Sequence, residues 1–179
     1  MHGRAQPVLT VVQLLPALDG GGVERSTIEI AQALVAAGHR SVVVSAGGRW
    51  LPRLLDTGSE HVDLAVGRKS PWTLRHVWTL RRLFRQWRPD VVHARSRLPA
   101  WLAWWVLRAL PAAQRPRFVT TAHGLNSVSR YSAIMARGDR VIAVSDTVRR
   151  HLLAHYPVAP ERIEVIERGV ERAGTIADW

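Results

Sequence analysis

The sequence predicts a doubly wound α/β domain on a mostly parallel sheet. Three observations carry that expectation. Short valine- and leucine-rich runs recur along the chain, helical or glycine-rich segments alternate with them, and 179 residues suffice for one buried core but not for two ordinary ones. Strands buried on both faces read as continuous apolar runs. Their regular alternation with helices leads through right-handed crossovers to a parallel sheet.

Residues 8–15 are a nearly unbroken apolar run and give the first strand, closed by Pro16 and the glycines at 20–22. Over 23–37 the apolar positions Val23, Ile28, Ile30, Ala31, Leu34 and Val35 fall near helical spacing, and Gly38 stands where a C-terminal cap belongs. A second strand follows at 41–45, a short helix at 50–56 and a third strand at 61–66. Residues 71–87 place Leu74, Val77, Trp78, Leu80, Leu83, Phe84 and Trp87 on one broad face. Pro71 suits the first turn of that helix and Pro89 blocks its continuation. The remaining expectations are strands at 90–95, 118–121, 140–144 and 163–166, with helices at 99–110, 127–137 and 146–155.

Composition bounds the function. No cysteine is present, which excludes disulfides and thiolate metal sites and fits a reducing compartment. Residues 1–7 are too short and polar for a signal sequence and 8–15 too short to span a bilayer, so the expected location is cytoplasmic. The net charge of +11 suits nucleic acid, an anionic membrane or a phosphorylated acceptor alike. Lys69 is the only lysine. Arginine also accumulates through codon bias, so arginines count here only where a motif places them.

In a doubly wound sheet, ligands bind at the carboxyl ends of strands, near the reversal of strand order. The loops at 16–24, 46–49, 94–99, 122–126 and 145–146 are therefore the places to look. The glycines at 20–22 let backbone amides approach an anion at a helix N-terminus, although a plain turn explains them equally well. They do not make the dinucleotide G-x-G-x-x-G pattern, because Val23, Glu24 and Arg25 follow Gly22. His93, Arg95 and Arg97 follow the fourth strand at alternate positions that can project at a cleft rim. His123 ends the fifth strand, where an imidazole can donate to a substrate hydroxyl or stabilise charge, and Gly124 removes bulk beside it. Asn126 closes the same loop. The tryptophans at 101, 104 and 105 read first as a helix buried against the sheet. With Arg108 and the arginines at 75, 81, 82, 85 and 88 they read alternatively as a membrane-surface or interdomain patch.

Five segments in order, GGVER at 21–25, DVVHARS at 90–96, TAHG at 121–124, GDRVIAVS at 138–145 and VIERGV at 165–170, resemble the N-terminal domain of family-four glycosyltransferases. These are retaining enzymes of the GT-B fold, whose two halves are each Rossmann-like. The resemblance implies that residues 1–170 form the acceptor-side domain and that 171–179 are a tail where the crossover to a donor domain would begin. It implies donor phosphate at Gly21 and Gly22, and His123 as the catalytic residue at the transferred sugar. It also implies an acceptor side formed by Glu24, Arg95, Arg97 and Asn126. Ser145 is a pocket-facing or helix-capping residue, with capping the simpler reading.

The co-substrate so implied is a nucleotide sugar, with no cofactor and no metal. The acceptor is a lipid-linked or phosphorylated glycan of cell-envelope polysaccharide or lipopolysaccharide synthesis, met at the inner face of the cytoplasmic membrane through a peripheral contact. The family's second domain supplies most of the nucleotide pocket, so the lone chain is expected to be inactive unless a separate donor-binding polypeptide completes it. The chain departs from the family at Glu167, where proline is usual. The alternative is a noncatalytic Rossmann-like module that binds an anionic glycan or membrane surface. A dinucleotide oxidoreductase fits less well, since Ser45 rather than an acidic residue ends the second strand. Nucleic acid is not an expected partner, because charge alone suggests it.

Overall fold

The computed structural model describes residues 7–68 and 70–167. Lys69, Arg168 to Val170 of the fifth motif and the 171–179 tail lie outside the described residues. All seven expected strands form: β1 Thr10–Leu14, β2 Arg40–Ser45, β3 Glu60–Asp63, β4 Val91–Ala94, β5 Arg117–Ala122, β6 Arg140–Ala143 and β7 Ile163–Val165. They make one sheet in the order β3-β2-β1-β4-β5-β6-β7. Every pairing is parallel. Strand order therefore reverses between β1 and β4, which puts the switch point beside the first glycine loop.

The helices α1 Gly22–Ala36, α2 Leu51–Asp56, α3 Arg75–Trp87, α4 Arg97–Arg108 and α5 Asp146–His155 sort to the two faces by side-chain parity. Val12, Leu14, Val42, Val44, Val92 and Ala94 point to the face packed by α3 and α4. Val43 and Leu15 point the other way, against Ile28 and Ala31 of α1 and Leu54 of α2. Towards β6 and β7, α5 lies on the α3–α4 side, with Val148 and Leu152 on Val141 and Ala143. Central strands buried on both faces explain why they read as unbroken apolar runs.

Two expectations are corrected. The helix expected over 71–87 is split. Ser70 Oγ accepts from Trp72 N at 3.3 Å and opens a 3-10 turn, Pro71–Leu74, before α3 begins. The helix expected over 127–137 does not form. Ser129 Oγ accepts from Ser132 N at 3.1 Å, and only a 3-10 segment, Ser132–Ala136, follows. Serine side chains there satisfy the backbone in place of helical carbonyls. The helix expected against the sheet forms as α4. Leu102, Ala103, Val106 and Leu107 face the sheet, whereas Trp101 and Trp104 are half-buried and Trp105 is exposed. The Arg137 guanidinium lies 5.5 Å from the Trp101 ring and 4.9 Å from Trp104, and Arg108 lies 4.9 Å from Trp104. A single helical layer leaves that side open, and the arginines cover the rings by cation–π contact.

Candidate functional site

At the carboxyl end of the sheet, on the α1 side, lies a cleft of about 430 Å³. Its first wall is the start of α1, from Gly22 to Ile30, and its floor is Arg95, Thr121 and His123. The opposite wall is Ile142, Val144 and Ile166. The register explains the grouping. Gln13 pairs His93, and Thr121 pairs Ile142, so all project to the α1 face from neighbouring strands. A second basin of about 320 Å³ shares Arg95, Thr121 and His123 with the first and extends to Arg97, Gly124 and Asn126.

The three glycines differ in what requires them. Gly20 has φ 123° and Gly21 φ 157°, a backbone that side-chain-bearing residues rarely adopt, so these two build the turn. Gly22 takes the first helical position and lines the larger cleft, so its amide end of α1 is the part open to a ligand. Gly21 lines neither basin, and neither does Glu24. The Glu24 carboxylate instead folds back over Gly21, where an added Cβ would meet Oε2 at 2.7 Å. An acid in the first turn of a helix favours the positive helix end.

Arg95 is 2% exposed and forms the floor common to both basins. Its Nη1 donates to Gln13 Oε1 at 3.4 Å, and its Nη2 donates to Ser26 Oγ. Gln13 is itself fixed, Nε2 donating to the Thr27 carbonyl at 3.1 Å. The guanidinium is thus held at one place beneath the cleft. His93 is not at the rim. It is fully enclosed below Arg95, with Nε2 at 2.7 Å from Thr121 Oγ1. Burial first, and then the neighbouring Arg95 and His123, hold its pKa well below the usual 6.5, so it is a neutral imidazole.

Arg97 opens α4 and lines the smaller basin; Nη1 donates to Ser132 Oγ at 3.2 Å and its plane lies 5.3 Å from the Tyr131 ring. The Asn126 carbonyl accepts from His151 Nε2 at 3.0 Å, which ties the basin's rim to α5. An added Cβ at Gly124 would meet nothing within 4 Å. Ser145 is a cap, its Oγ accepting from Val148 N at 3.3 Å, as the simpler reading has it. Ser45 is held inward by His61 Nε2 at 2.9 Å and by Gly47 N at 3.2 Å.

The sheet therefore brings Gly22, Arg95 and His123 to one cleft and Arg97 and Asn126 to an adjoining one, and leaves Gly21 and Glu24 to the turn. Ser26, Thr121 and Gln13 are the residues that sequence reasoning does not single out. Gln13 had a signal, an amide within an otherwise apolar strand. Among the described residues no group of three or more His, Asp or Glu could hold a metal, and no helix is long and apolar enough to cross a membrane.

The profile of glycosyltransferase family 4 matches residues 20–173. A glycosyltransferase from Rickettsia africae is 34% identical and superposes with a TM-score of 0.78, covering 91% of this chain and 44% of that one. Anabaena HepE, solved with UDP and glucose, is 16% identical with a TM-score of 0.70 over 90% of this chain and 45% of its own. The lipopolysaccharide outer core galactosyltransferase WaaB is 13% identical with a TM-score of 0.67 over 90% and 46%. The latter two likenesses establish the fold alone. The chain spans a little under half the length of these proteins. No curated protein sequence matches it.

Proposed function

The chain belongs to glycosyltransferase family 4, and from that membership we propose that it is the acceptor-side half of a retaining transferase that moves a sugar from a nucleotide sugar to a lipid-linked or phosphorylated glycan. The observation that carries the reading is one cleft, at the switch point, bounded by the amide end of α1 at Gly22 and floored by Arg95 and His123. Helix dipole and amides attract a diphosphate there. Because Glu24 already occupies the Gly21 side, donor phosphate belongs at Gly22.

His123 then sits over the reacting centre, where it donates to the sugar or stabilises developing charge. The smaller basin, with Arg97 and Asn126 at its edge and open space above Gly124, receives the acceptor. Arg95, anchored beneath both, supplies a fixed positive field rather than a mobile clamp. Neutral His93 adds no competing charge. The reaction belongs to cell-envelope polysaccharide or lipopolysaccharide assembly at the inner face of the cytoplasmic membrane. The family's donor-binding half is not among these 179 residues, and a complete reaction draws on it.

Calorimetry and thermal shift with UDP, ADP, GDP and their sugars test this. One nucleotide series should stabilise the chain. Gly22→Val should weaken that binding about tenfold or more by filling the helix end, and His123→Ala should weaken the sugar-bearing ligand more than the bare diphosphate. Binding indifferent to both substitutions would refute the placement. Glycan binding without any nucleotide response would favour the noncatalytic module.

A further inference from the structure

The two basins have three lining residues in common, Arg95, Thr121 and His123. A ligand that reaches from one basin into the other lies over these three. Arg95 carries donors alone, and His123 is placed as a donor to the sugar. A sugar hydroxyl both donates and accepts, so a floor made only of donors would leave its proton without a partner. Thr121 is the residue of that floor with an oxygen to offer.

The other acceptors nearby are committed or turned away. Ser26 lines the larger basin, but its Oγ accepts from Arg95 Nη2 and donates to the Val23 carbonyl at 3.0 Å. Thr120 points to the other face of β5 and donates to the Met135 carbonyl at 2.7 Å. The Glu24 carboxylate is turned to Gly21, outside both basins. Glu29, on the wall of the larger basin, is paired with Arg25 at 2.9 Å. Thr121 Oγ1 has one partner among the described residues, His93 Nε2 at 2.7 Å. His93 pairs Val119 across the ladder, so its enclosed ring reaches one rung along the strand to meet Thr121 beneath the floor. A hydroxyl oxygen has two lone pairs. Whether the His93 nitrogen gives or takes the proton between them, Thr121 Oγ1 keeps at least one lone pair for a ligand.

We propose that Thr121 Oγ1 accepts a hydrogen bond from a hydroxyl of the sugar that lies over this shared floor, and that His93 is the positioning residue that fixes that oxygen. The proposal rests on the nucleotide-sugar reading of the cleft and adds to it a contact that tells the sugar from the phosphates, which carry no such hydroxyl. Because the hydroxyl side chain of Thr121 is nearly enclosed, a sugar lacking the matching hydroxyl leaves its oxygen without that bond.

Calorimetry on the full chain tests this with UDP-glucose, ADP-glucose and GDP-mannose, each set against its bare diphosphate. Thr121→Val removes the oxygen and keeps the branched shape. It should weaken the sugar nucleotide that wild type binds by about fivefold to tenfold, the worth of one hydrogen bond, and leave the matching diphosphate within about twofold. Thr121→Ser restores the oxygen and should recover most of that loss. His93→Leu should cost about threefold on the sugar nucleotide alone, and His93→Gln, which can again hold the hydroxyl, should recover it. Thermal melts confirm that each variant is folded. Thr121→Val weakening both ligand classes equally, or neither, overturns the proposal. A loss that Thr121→Ser does not repair, or His93→Leu without effect, overturns it as well. Wild type that binds none of the sugar nucleotides would instead overturn the reading of the cleft, and this contact with it.

Discussion

His93 shows how one residue ties the site to stability. It stands in β4 with its ring against Thr121 and is wholly enclosed, so protonation would bury a charge beside Arg95 and His123. Its folded pKa lies below the unfolded value of about 6.5. Above that pH both states hold neutral imidazole and the residue adds no pH dependence. As pH falls below it, the unfolded chain takes up a proton that the native state refuses, and stability drops by up to about 1.4 kcal/mol per pH unit. Denaturant unfolding from about pH 7 to 5 should show this limb, and His93→Gln should flatten it whatever the variant does to absolute stability. His61 and His76, also lowered chiefly by burial, remain in the variant and set the residual slope. An unchanged slope would mean that His93 is hydrated in solution.

At the scale of elements, the segment between Gly124 and Gly138 joins the smaller basin to the core, and its two glycines differ. Gly138 has no room: a Cβ there would strike the Arg140 carbonyl and come within 2.9 Å of Thr120 Oγ1 and 3.1 Å of its nitrogen. Gly138→Ala should therefore cost about 1–3 kcal/mol by overpacking. Gly124 faces open space at an ordinary backbone angle, so Gly124→Ala should leave stability within about 1 kcal/mol while narrowing the smaller basin. Thermal melts of the two variants decide this, and equal losses would show that the basin is closed.

The same segment marks where sequence reading stops. Strands and α1, α3, α4 and α5 were legible because each buries a periodic apolar face, as Ile28 and Ala31 do. Over 127–137 the apolar residues were there, but hydrogen bonds from Ser129 and from Thr120, whose Oγ1 donates to the Met135 carbonyl at 2.7 Å, outweigh them. Such bonds depend on tertiary partners. The site was legible through strand ends, which placed Arg95 and His123. The exclusion of Glu24 from the cleft depends on where its side chain turns, which spacing does not encode.

Across the whole molecule the sheet is unequally covered. On the α3–α4–α5 side, helices reach from β1 to β7. Among the described residues, helices on the α1 side stop near β4, with Ile142, Val144 and Ile166 as a partly exposed apolar wall. Adjacent residues of β6 separate the two faces. Val141 is fully buried beneath α5, whereas Ile142 lines the cleft. Truncating a buried valine loses transfer energy and leaves a cavity, so Val141→Ala should cost about 2 kcal/mol. Ile142→Ala removes more atoms yet should cost less than about 1 kcal/mol, because its partners are missing from one side. Chemical unfolding of the two variants measures the asymmetry directly. If Ile142→Ala proves the more costly, residues of this chain cover the wall and the cleft is narrower than its described shape. If it proves the cheaper, the wall contributes little to holding this domain together. Its apolar character is then accounted for by what it meets in the cleft, and the same substitution should weaken nucleotide-sugar binding more than it weakens the fold.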